Sequence, residues 1–101
     1  MNNQPSSYAV RAEQASKDMI AQANTNLENF CYNRGIKKSD LIRTMKSMNL
    51  KNYSPKRVTN YNPELKGAIV TTDLSELCLV AIMMDINPIT LLIGDVKREK
   101  R

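Results

Sequence analysis

The chain has 101 residues, 42% of them apolar and 25% charged, a net charge of +5 and no histidine. That length suits one small domain around one core. Without histidine the commonest general base is missing, and two cysteines are too few ligands for a zinc site.

No Gly-rich phosphate loop or nucleophile motif is present, so neither an enzyme nor a cofactor is expected. The longest apolar run, residues 77–84, falls far short of the ~20 residues of a membrane span. "MNNQPSSYAV" lacks the basic-then-apolar order of a signal peptide. A cytoplasmic protein with no membrane contact is expected. Cys31 and Cys78 both sit in apolar patterns and are expected to be buried, reduced thiols.

The charge is unevenly placed. Residues 34–68 hold nine Lys and Arg against Asp40 and Glu64, a net of +7, whereas the segments on either side are each at −1. A basic zone this focused is the electrostatic footprint of a polyanion binder.

In chain order, residues 1–10 are polar and are expected to form a flexible arm, followed by one domain over 11–95 and a frayed basic tail over 96–101. From about Arg11, Ala15, Met19, Ile20, Ala23, Leu27, Phe30 and Cys31 recur at spacings of three and four, which predicts a helix. "NTN" (24–26) is its weak point, and Gly35 is placed to close it. Ser39 is the expected N-cap of a second helix whose stripe is Leu41, Ile42, Met45 and Met48.

Ser54 and Pro55 form a strong start for a short third helix, "SPKRVTNYN", ended by Pro63. Val58 and Tyr61 share one side of it and should pack inward, leaving Lys56, Arg57, Thr59 and Asn60 facing elsewhere. After a loop over 62–71, a fourth helix starts at Thr71 or Thr72. Its core stripe is Leu74, Leu77, Cys78, Ala81 and Met84, but it is apolar nearly all round and must be covered on more than one side. "PITLLIGD" (88–95) is a short fifth helix closed by Gly94.

A helix, a turn and a short basic helix can place a narrow element with donors at its N-terminal end into a groove about 12 Å wide. Residues 27–94 resemble the lambda-repressor-like (XRE and Cro type) helix-turn-helix family. Gly35 ends the first helix, "SDLIRTM" stands for the second and "SPKRVTNYN" for the third. The family closes with Leu-x-x-hydrophobic-Ala-x-x-hydrophobic-Gly-hydrophobic-x-Pro-x-x-Leu-Leu. Here that unit is Leu77, Val80, Ala81, Met84, Asp85, Ile86, Pro88, Leu91 and Leu92.

Several features depart from the family pattern. Ile42 stands where the family carries Ala, the turn between helices two and three is about six residues longer, the following loop is long, and the N-terminal extension has no counterpart.

The resemblance implies an all-α, compact five-helix domain with an N-terminal helical extension. Its implied function is a double-stranded DNA-binding transcriptional regulator, a repressor by expectation, acting as a homodimer. Compact control genes of mobile genetic elements offer an analogy. Carried over residue by residue, Lys56, Arg57, Thr59 and Asn60 become base readers, Lys56 or Arg57 toward guanine and Asn60 toward adenine. Ser54, Lys38, Arg43 and Lys51 become phosphate contacts. Each reader could equally meet phosphate. The alternative is a protein-interaction module that has kept this fold without reading DNA, and a regulatory protein partner suits either reading.

Overall fold

The computed structural model describes residues 5–48, 68–70 and 74–100. Among them the protein is helical with no strand: α1 (Pro5–Arg34), α2 (Lys38–Ser47), α3 (Leu74–Met83) and α4 (Pro88–Ile93). The last two are the expected fourth and fifth helices. The expected third, over 54–61, lies outside the described residues, as do Ser54, Lys51 and the four base readers.

The first helix starts at Pro5 and not near Arg11, so six of the ten residues of the expected flexible arm are helical. Proline fits the first turn, where its missing N–H costs nothing, and Ala9, Ala12 and Ala15 follow as the best helix formers. At the other end, Gly35 has φ 69, its N–H donates to the Tyr32 carbonyl, and the Ile36 N–H donates to that of Cys31. This is a Schellman closure, and the left-handed residue it requires is the expected glycine. The end of α3 repeats the pattern, from Asp85 to Ile82 and from Ile86 to Ala81, with Asp85 at φ 54 in the position where the resembled family carries Gly.

The core gathers Ala23, Leu27 and Cys31 from α1 and Leu41 and Met45 from α2, together with the closing unit Leu77, Val80, Ala81, Met84, Ile86 and Leu91. Fully burying a side chain of the Val or Leu type is worth about 1.5–3 kcal/mol, so this cluster is the main stabilising term.

Four expectations need correcting. Met48 is exposed, because α2 ends at Ser47 before the stripe returns to the core. Cys78 is exposed, since it follows Leu77 and lies about 100° further round the helix. Lys37, not Ser39, is the N-cap of α2, and no side chain caps it. Leu74 is exposed too, because it lies in the first turn of α3, before the stripe reaches the core at Leu77.

The weak point at 24–26 does not break α1. Asn24 is buried there and holds the 68–70 segment: its Oδ1 accepts from the N–H groups of Ile69 and Val70, and its Nδ2 donates to the carbonyls of Val70 and Ile20. Asn26 is fully buried, donating to the carbonyls of Leu91 and Gly94 and accepting from the Val96 N–H and the Gln22 amide. Asn29 donates to the Val96 carbonyl. Asn33 donates to that of Lys97 and accepts from the Glu99 N–H. The expected frayed tail is therefore a strap along α1, bound through its main chain. The amides of Asn24 and Asn26 meet donors and acceptors that would otherwise be unpaired beside the core, whereas Asn33 bonds at the surface.

Candidate nucleic-acid interface

The described part of the basic zone lies where α1 ends and α2 begins. Lys37 and Lys38 stand at the N-terminus of α2, where the helix dipole adds partial positive charge. Lys38 Nζ pairs with Glu28 Oε1 of α1 at 2.9 Å, both side chains about two-fifths exposed. An ammonium carries three donors, so this pair leaves Lys38 able to meet a second oxygen. Arg43 pairs with Asp40 one turn earlier at 3.0 Å, both well exposed. Lys46 is exposed in the last turn of α2.

The structure thus brings two expected phosphate contacts, Lys38 and Arg43, onto one helix, each already beside a carboxylate. Solvent-exposed pairs of this kind are worth about 0–1 kcal/mol, so neither holds its cation firmly.

Arg34 counts in the basic zone by sequence but has a structural role. Its guanidinium donates to the Met84 carbonyl and lies over the Phe30 ring, 5.5 Å from the centroid. It ties the end of α1 to the end of α3, complementing the carbonyls at the C-terminal end of α3.

Arg98 is the cation that sequence reasoning missed. The strap sets it 4.7 Å over the Tyr32 ring, with its Nε donating to Asn29 Oδ1. With Glu28, Cys31, Tyr32, Ile36 and Lys38 it borders a shallow hollow of about 270 Å³. "VKREK" carries no periodicity that would fix its position, and the only sequence signal was the run of asparagines on α1.

Cys31 is buried at the floor of this region. Burial pushes its thiol above the ordinary value of 9.0, and Glu28 pushes the same way, while Arg34 and Lys38 pull down. A thiol held protonated is a poor nucleophile, which fits a core role. Among the described residues, no cluster of three or more His, Cys, Asp or Glu could hold a metal, and no helix is long and apolar enough to cross a membrane.

Ile82, Ile89 and Ile93 are exposed, so α1 does not cover that face of α3 and α4. No family model, curated protein or solved structure matches the chain.

Proposed function

We propose that the protein is a sequence-specific, double-stranded DNA-binding transcriptional regulator that represses, acts as a homodimer and reads the major groove with residues 54–61. The observation that carries this reading is the closing unit. Its Leu77, Val80, Ala81, Met84, Ile86 and Leu91 are all buried and pack with Leu41 and Met45 of α2, as the spacing of the resembled helix-turn-helix pattern requires. The net charge of +7 over residues 34–68 supports a polyanionic partner.

Lys56, Arg57, Thr59 and Asn60 supply the donors that base edges need. Ser54, Lys38, Arg43 and Lys51 supply phosphate contacts. A dimer follows from the chemistry, because one short helix spans too few base pairs to specify a site.

A second reading, a protein-interaction module of the same fold, draws on the exposed isoleucines of α3 and α4. Salt separates the two, since DNA binding weakens steeply with ionic strength and apolar docking does not.

The test is selection of bound fragments from a random duplex library, repeated with variants. Arg57→Ala and Asn60→Ala should each relax one position of the selected site at a cost of about 1–3 kcal/mol. Lys38→Ala should lower affinity without changing preference and reduce the log–log salt slope by about one. A library with no enriched sequence removes the DNA reading. Enrichment that both base-reader variants leave unchanged moves the reading helix away from 54–61.

A further inference from the structure

We infer that the N-terminal half of α1 pairs with the same segment of a second copy, as a short antiparallel helical coil centred between residues 13 and 14. This deepens the dimeric part of the reading above, and its test, made without DNA, fails separately from DNA binding.

The starting point is an exposed stripe, of which Gln22 alone, among the described residues, bonds to the returning chain. Tyr8, Ala12, Ala15, Met19 and Gln22 are spaced four, three, four and three apart, the repeat that keeps side chains on one seam between two helices. All five are exposed. Along one side of the seam runs an apolar groove of about 410 Å³, with Ala12, Ala15 and Met19 on one wall and Leu74, Leu77 and Leu92 on the other. Its open volume and apolar walls suit a helix lying alongside α1.

The flanking charges identify the occupant. Arg11 and Asp18 lie seven residues apart on the same flank of the seam, both exposed, whereas the other flank carries only Ala9, Ser16 and Ala23. In an antiparallel pair, seam residues meet when their numbers sum to 27. Tyr8 then faces Met19 of the second copy, and Ala12 faces Ala15. In this register Arg11 of each copy meets Asp18 of the other, giving two ion pairs related by the twofold axis.

Residues 5–22 overlap completely in this arrangement, about 27 Å of helix. The alanines at its centre let the two backbones approach closely, and Tyr8 against Met19 gives an aromatic–sulfur contact. A parallel pair would instead set Arg11 against Ser16 and Asp18 against Ala23, with no ion pair. Arg11 has no acidic partner within the chain among the described residues. Among the described residues Asp18 accepts only from the Gln14 amide, at 2.9 Å. The exposed Ile82, Ile89 and Ile93 carry no such charge pattern to choose a partner.

The test is sedimentation of the full-length chain over a concentration series at low salt, with charge reversals. Wild type should dimerise. Arg11→Asp and Asp18→Arg should each raise the dimer Kd about tenfold, since each replaces two attractive contacts by two repulsive ones. Because both positions are exposed, helicity by circular dichroism, compared among the monomers, should not change. The double reversal restores both pairs and should return the Kd to within about threefold of wild type.

A wild-type chain that stays monomeric overturns the inference. So does a double reversal no tighter than the single ones, or a dimer that Ile89→Asp with Ile93→Asp dissociates while Arg11→Asp leaves it intact.

Discussion

From residue 23 onward α1 is packed on several sides: Ala23, Leu27 and Cys31 face the core, while Asn24, Asn26, Asn29 and Asn33 hold neighbouring chain by its carbonyls and N–H groups. Before residue 20 the same helix presents Tyr8, Val10, Ala12, Ala15 and Met19 to solvent, with Gln14 to Asp18 as the side-chain hydrogen bond it shows. The backbone geometry is continuous and the apolar period runs through both halves, so periodicity alone does not say what is buried. The second half is buried because the rest of the chain comes back to it. What distinguishes the halves in sequence is the asparagines between the apolar residues, which the first half lacks.

The largest way to break this contrast is at Asn26. Replacing it with Ala strands the Leu91 carbonyl and the Val96 N–H beside a packed core and leaves the Gly94 carbonyl with the Gln22 amide. The loss should be about 3 kcal/mol in urea or thermal unfolding. Gln14→Ala, in the bare half, should change stability by no more than about 0.5 kcal/mol. Equal effects would mean that the strap contributes nothing to folding.

This comparison also shows what could be read from sequence and what could not. The four described helices, the closing unit and Gly35 were legible because apolar period and backbone conformation are local properties. The strap was not. Asparagine lowers helix propensity, so "NTN" signals a weak helix, and only the returning chain turns that weakness into a binding site. The exposure of Met48 and Cys78 was missed for a related reason: a stripe says which residues share a side, not how far the covering layer extends. The Arg98 position follows from the strap and could not precede it. For the candidate site, the sequence placed Lys38 and Arg43 on one helix but not the carboxylates beside them.

A smaller effect compares the two Schellman closures. Gly35→Ala should cost about 1 kcal/mol, because an added Cβ meets no neighbouring atom and only the positive φ is unfavourable. Asp85→Gly should act in the opposite sense, stabilising by about 0.5–1 kcal/mol, since Asp85 holds φ 54 with a side chain. Paired denaturation curves would show opposite shifts, and shifts of the same sign would place the difference outside backbone conformation.

The smallest effect concerns the two thiols. Cys78 should react with a maleimide at the rate of a free thiol, and Cys31 only as fast as the protein opens. Because the folded state holds the Cys31 proton above the ordinary 9.0, its stabilising contribution is complete below that pH. It declines as pH rises through 9.0 toward the folded value. A Cys31→Ala chain should lose that alkaline decline, which pH-dependent melting would detect.

The strap follows a rule of measure rather than of letters. Asn26 to Asn33 spans about 10 Å of helix, and the three steps from Val96 to Glu99 cover about the same length when extended. Helix and strap therefore run in step, and the asparagine amides grip main-chain groups that every residue except proline presents in the same form. Most substitutions between 95 and 99 should leave the clamp engaged, whereas inserting or deleting a single residue there would put every later carbonyl out of phase with its amide. The α1 surface works like a ruler, indifferent to what is written on the tape but not to its length.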